Sequence, residues 1–123
     1  MPTMQATEGQ FLKYEAPQGY SREDVTVASG QNLAAGQVVG RITASGHIAA
    51  FTPGASDGTQ NAVGVLLAAV DATAAARPGV IVARHAIVVE RDNLVWGGSP
   101  TNAQKDAAIA QLKALGILAR KTV

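Results

Sequence analysis

From Val25 onward the chain reads as short apolar runs separated by turn residues, the signature of many brief strands. Val25-Thr-Val27 is β-branched and is closed by a predicted turn over Ser29-Gly30-Gln31-Asn32. Gly36 permits a tight turn after Leu33, and Gln37 to Thr43 forms the next predicted strand. Ser45-Gly46 makes a hairpin turn, with His47 to Phe51 as the returning strand. Thr52 to Asn61, holding Pro53, Gly54, Asp57 and Gly58, reads as a long loop. Ala62 to Val70 is continuously apolar, as expected of a strand buried on both faces. Asp71 to Pro78 is an alanine-rich loop on this reading. Val80 to Val89 is the longest predicted strand, broken in its middle by Arg84 and His85, and Leu94-Val-Trp96 is a last short one.

The period then changes. Thr101-x-x-Gln104 is a capping box, and Ala108, Ile109, Leu112 and Leu115 recur at helical spacing. A helix is therefore expected over about 101–115, stopped by Gly116, with Ile117-Leu-Ala119 returning as an edge strand. The fold class expected is mainly β: a compact body of short strands with one C-terminal α-helix and an extended N-terminal arm.

Residues 1–24 lack either periodicity, yet they hold Phe11, Tyr14 and Tyr20, three of the five aromatic residues in the chain. Disordered tails are normally poor in aromatics, so this segment reads as an arm that orders on a partner. The alternative is a strand docked on the protein's own body. The division expected is an arm over 1–24 and a β-rich domain over 25–123.

Composition narrows the function. The hydrophobic fraction is 47%, but much of it is alanine and aromatics are only 4%, so the core is thin for 123 residues and self-association would add burial. Charged residues make up 15%, a surface poor enough in charge to suit one covered by partners. The net charge of +1 gives no field for nucleic acid or an anionic membrane, and Arg22, Arg41, Arg77, Arg84 and Arg91 stand singly. Met1 to Gln10 has no basic start leading into an apolar run, so no signal peptide is expected and synthesis in the cytoplasm is.

Little chemistry is on offer. There is no cysteine, and neither His47 nor His85 has a His, Asp or Glu at ligand spacing, so no metal or cofactor is expected. Glu23-Asp24 and Glu90/Asp92 are the paired carboxylates, and both sit where turns and caps commonly use them. No nucleophile elbow, phosphate loop or dinucleotide motif occurs, and an enzyme is not expected. Leu33 to Ile42 is similar to the turn-and-strand of biotinyl and lipoyl carrier domains, but the body has no lysine between Lys13 and Lys105 to carry the group. The same phrase is similar to β-clip domains.

The ordered set of features carries a further resemblance. Phe11-x-x-Tyr14 is followed by Pro17-Gln-Gly19, Ala62-Val-Gly-Val-Leu66, Leu94-Val-Trp96, a capped helix and a closing strand. Over nearly its whole length the chain resembles the lambda-type bacteriophage head decoration proteins. It departs from them after the Trp, where Gly97-Gly98 replaces a proline and an acidic residue. The resemblance implies a β-clip-like body and a homotrimer on the outer surface of an expanded virion head, cementing neighbouring subunits of the major capsid protein. It also implies an arm that is mobile when free and adds a strand to a capsid-protein sheet when bound. Gln10, Phe11, Leu12, Lys13, Tyr14 and Glu15 would form that strand, with Phe11 and Lys13 on one face and Leu12 and Tyr14 on the other. Pro17, lacking an N–H, would end the pairing. Trp96 and Tyr20 are the candidate trimer or body contacts. The competing reading is a β-clip-type ligand-binding module with polar groups converging around Arg84, His85 and Thr43.

Overall fold

The computed structural model describes residues 12–15, 21–89, 94–97 and 100–120. Ten strands and one helix are defined there. β1 is Leu12–Glu15, β2 Arg22–Val27, β3 Gln31–Leu33, β4 Val38–Arg41, β5 Ile48–Ala50 and β6 Ala62–Leu66. β7 is Val70–Ala72, β8 Arg77–Val82 and β9 Ala86–Val89; then come α1, Asn102–Ala114, and β10, Ile117–Arg120.

Five of the strands close into a small barrel in the order β2-β5-β4-β6-β8. Its longest seam is antiparallel β2–β8, running from Arg22↔Val82 to Val27↔Arg77. β4 and β5 are the hairpin expected around Ser45-Gly46, with Val39 opposite Ala50 and Arg41 opposite Ile48. One parallel pairing, Val27↔Ile48, completes the circuit. β3 and β7 form a separate two-stranded ribbon, and β1-β9-β10 form a three-stranded sheet.

The apolar doublets explain why the wall strands read as unbroken hydrophobic runs. Val39 of β4, Leu66 of β6 and Ile81 of β8 join Val25, Val27 and Ile48 in the cluster that fills the barrel. Their neighbours Val38, Val65 and Val82 point the other way, into a second cluster with Val88, Leu94, Ala108, Leu112 and Ile117. The two-residue period thus places one residue of each pair in each core. At about 1.5–3 kcal/mol for fully burying a side chain of this size, both cores contribute substantially.

α1 begins as its sequence dictates. The Thr101 hydroxyl accepts from the Gln104 amide at 3.1 Å, and Gln104 Oε1 accepts from the Thr101 amide at 2.8 Å. Its far end stops at Gly116, whose φ of +86° suits a residue without a Cβ. Between them Ala108 and Leu112 are buried, and Gln111 ties the helix to the barrel: its Oε1 accepts from the Ala62 amide at 2.8 Å, and its Nε2 donates to Asn61 at 3.0 Å. β9 and β10 run parallel, and α1 lies in the connection between them.

Several sequence expectations change. Val80 to Val89 is two strands in different sheets, because His85 adopts φ +51° and turns the chain out of the barrel. The apolar run from Ala62 to Val70 ends as a strand at Leu66; Ala68 and Ala69 are exposed, and Val70 to Ala72 pairs with β3 instead. Asp71 and Arg77-Pro78, expected in a loop, are therefore in strands. The turn expected over residues 29–32 occupies Ser29-Gly30, and Gln31 already pairs with Ala72. Leu94-Val-Trp96 contributes a single bridge, Val95 to Gln37, rather than a strand. Residues 22–24, grouped with the arm by composition, are the start of the barrel.

Candidate assembly edge

Of the predicted arm, residues 12–15 and 21–24 are described; the first stretch is β1 and the second opens the barrel. β1 runs antiparallel to β9, with Leu12 opposite Val88, Tyr14 opposite Ile87 and Glu15 opposite Ala86. The docked-strand alternative is thus the arrangement observed for residues 12–15. The register slips between Leu12 and Tyr14, so a bulge interrupts the simple alternation expected there. Leu12 is half-buried against the cluster that holds Val88. Gln10, Phe11, Pro17 and Tyr20 lie outside the described residues, as do the side chains of Lys13, Tyr14 and Glu15. The sheet order β1-β9-β10 leaves β1 and β10 as its two outer strands.

The arm enters the body at Ser21, which is fully buried. Its hydroxyl donates to the His85 carbonyl at 2.8 Å, and its own carbonyl accepts from the Ala83 amide at 2.8 Å. Ser21 therefore pins the crossover where the chain passes from β8 to β9. Two residues on, the Glu23 carboxylate takes Arg41 on one oxygen at 2.9 Å and Arg84 on the other at 3.1 Å. Glu23 does not serve a turn, as sequence position suggested; it links β2, β4 and the crossover. Sequence offered no signal for either role, because the partner of Ser21 is 64 residues away and those of Glu23 are 18 and 61 residues away. These pairs are about one-third exposed, so solvent screening keeps each modest.

Trp96 packs on the body. Its ring meets buried Phe51 edge-on at 6.0 Å between centroids and 69° between planes, and Lys105 Nζ lies 5.9 Å from its centre. The segment is held to the barrel by two backbone bonds, Val38 amide to Val95 carbonyl and Val95 amide to Gly36 carbonyl, each 3.0 Å.

Three of the hollows on the surface of the described residues bear on the ligand-module reading. One of about 320 Å³ is lined by Phe51, Pro53, Gly97, Pro100 and Gln104 among others. One of about 440 Å³ includes Asp24, Thr26, Arg41 and His47, and one of about 430 Å³ runs between Ile109, Lys113, Leu118 and Ala119. Arg84, His85 and Thr43, the polar set of the ligand-module reading, line none of the three. Arg84 is engaged by Glu23, and the Thr43 amide donates to the Asp57 carbonyl at 2.8 Å. Among the described residues no cluster of three or more His, Asp or Glu could hold a metal ion, and no helix is long and apolar enough to cross a membrane.

Two carboxylates, Asp57 in the 52–61 loop and Asp71 in β7, are tuned locally. Asp57 accepts from the Thr59 hydroxyl at 2.6 Å and from its amide at 3.0 Å, and these bonds hold its pKa below the ordinary value. Asp71 is lowered in the same way by the hydroxyl and amide of Thr73. Both pairs close turns on exposed backbone, a structural use.

The candidate edge is thus a bulged strand on a three-stranded sheet, anchored through Ser21 to a closed barrel with a capped helix behind it. No curated protein matches the chain. A family model does, and it spans residues 1–117, from before β1 to the first residue of β10. The chain belongs to the bacteriophage lambda head decoration protein D family.

Proposed function

We propose that this protein binds the outside of an expanded phage head as a homotrimer and cements neighbouring major capsid protein subunits, using residues 10–15 for strand addition. As a member of its family it is a structural protein and not an enzyme. The observation that supports the finer reading is β1: Leu12–Glu15, the part of the aromatic-bearing arm that includes Tyr14, is a strand on the outside of a three-stranded sheet. Backbone pairing supplies affinity in such a contact, and the side chains choose the partner. The low charge of 15% suits a body whose surface is shared with neighbours. Three arms held in one trimer act at high effective concentration, so modest single contacts add up to firm occupancy.

Deleting residues 1–16 tests the reading. The truncated body is expected to stay folded and to lose its binding to expanded heads in a sedimentation assay. Full occupancy by the truncated protein would defeat the arm assignment. Size-exclusion chromatography with light scattering tests the trimer, and a strict monomer on and off the head would defeat that part.

A further inference from the structure

Glycine has no Cβ to shield its amide nitrogen, so an Asp-Gly step is the one most open to attack by that nitrogen on the aspartate side chain. Asp57-Gly58 is such a step, and no other Asp or Asn in the chain precedes a glycine. Nothing but water leaves or enters. The Gly58 nitrogen bonds to Cγ of Asp57, its proton and the carboxyl hydroxyl depart as one water, and a five-membered imide remains. Water then opens the imide at either carbonyl. Opening at Cγ restores aspartate; opening at the α-carbonyl runs the main chain through Cγ and leaves a free α-carboxylate, which is isoaspartate. We propose that Asp57-Gly58 is a latent isoaspartate site: the folded 52–61 loop holds it closed, and opening of the loop lets it react.

Both reacting groups are held by bonds that ring closure must break. The Asp57 Oδ1 accepts from the Thr59 hydroxyl at 2.6 Å and from the Thr59 amide at 3.0 Å. These donors favour the ionised carboxylate, which is a poor target because it has no hydroxyl to lose. On the other side, the Gly58 amide donates to Gln60 Oε1 at 2.8 Å. The proton in that bond is the one the nitrogen must give up.

The backbone around the step is clamped as well. The Asp57 carbonyl accepts from the Thr43 amide at 2.8 Å, and the Thr59 carbonyl accepts from the Thr52 amide at 2.9 Å. Gly58 holds φ +110°. A Cβ there would come within 2.5 Å of Thr43 Oγ1 and 2.9 Å of the Thr43 nitrogen, and closer still to the Arg41 carbonyl. Gly58 thus lies hard against the end of β4, with little room to turn. Isoaspartate puts one more methylene into this path. A chain that isomerises while open therefore cannot reseat Gly58 on β4, and the opening becomes permanent.

Ageing the unaltered protein at neutral pH, folded in buffer and unfolded in urea, tests the proposal. A protease peptide containing Asp57 is assayed by electron-transfer mass spectrometry, which tells isoaspartate from aspartate at equal mass. The folded protein should form isoaspartate about tenfold more slowly than the unfolded chain, or slower still. Equal rates, or no isoaspartate in urea, would overturn the proposal. Gln60→Ala frees the Gly58 amide and Thr59→Val removes one hold on the carboxylate. Each should speed the reaction several-fold in buffer and leave the rate in urea unchanged. Folded variants that react at the unaltered rate would overturn the assigned holds. Should either variant fail to fold, the comparison on the unaltered protein decides alone. Asp57→Glu should abolish the signal in both conditions; a signal that persists would place the reaction elsewhere and sink the assignment.

Discussion

The buried hydroxyl of Ser21 donates to the carbonyl of His85, joining the root of the arm to the residue that turns the chain out of the barrel. His85 holds φ +51° there, a conformation that costs a non-glycine residue energy unless its surroundings fix it. Ser21→Ala removes the donor and leaves the buried bond unmade, for an expected loss of about 1 kcal/mol. Urea unfolding followed by Trp96 fluorescence measures it, since Trp96 is the only tryptophan. A neutral result would show that the crossover does not depend on this bond.

Gly116→Ala should cost about 1–2 kcal/mol, because φ of +86° is left-handed backbone. Gly40→Ala should cost about 1–3 kcal/mol for a different reason. An added Cβ would come within 2.6 Å of Thr59 Cα and 2.9 Å of the Asn61 carbonyl, both on the loop lying over β4. Thermal melts of the two variants should both fall, and high-resolution structures should show the Gly40 variant with the 52–61 loop displaced.

Removing the helix cap with Thr101→Ala should destabilise the fold by about 1 kcal/mol. Gln104→Ala removes the reciprocal bond, and the double variant should cost less than the sum of the two, since both act on one turn. Additive losses in a double-mutant cycle would argue against a working capping box.

Acid should loosen the turns at Asp57 and Asp71 late. Their folded-state pKa values are depressed, so the stability that these bonds contribute is present above the unfolded value and is lost as pH falls through the folded one. Carboxyl chemical shifts followed by NMR should place both midpoints below that of an unstructured aspartate. Replacing Thr59 with valine should raise the midpoint of Asp57 alone. Midpoints at the ordinary value would remove the assigned hydrogen bonds from solution.

Phe11→Ala and Tyr14→Ala should each weaken head binding by about 1–2 kcal/mol per arm, a range usual for aromatic anchors, and more for three arms together. The melting temperature of Phe11→Ala should move little. Wild-type saturation by both variants would mean that the anchors lie elsewhere.

How much of this was legible before the structure depended on the kind of signal. The helix was readable to within a residue because Thr101, Gln104 and Gly116 act locally and each has one strong reason for its place. The Ser45-Gly46 hairpin was readable on the same grounds. The run from Val80 to Val89 was not, since apolar period says nothing about a left-handed turn at a histidine. Ala62 to Val70 misled because alanine counts as apolar yet buries little: Ala68 and Ala69 lie exposed, and the strand has already ended. The arm was singled out by its aromatics, but its docking on β9 is a long-range pairing that composition does not encode. Glu23 holding Arg41 and Arg84 belongs to the same class: the arginines stood singly in the chain and Glu23 read as a turn carboxylate beside Asp24, and the three meet only in three dimensions.

The β2–β8 seam bears on the arm in mechanical terms. Tension drawn along an attached arm enters the body at Ser21 and passes straight into the six opposed pairs from Arg22↔Val82 to Val27↔Arg77. The longest ladder among the described strands thus stands directly behind the root of the arm. On the proposed strand-addition role, a load path of this kind would meet six opposed backbone pairs before it reached the rest of the barrel.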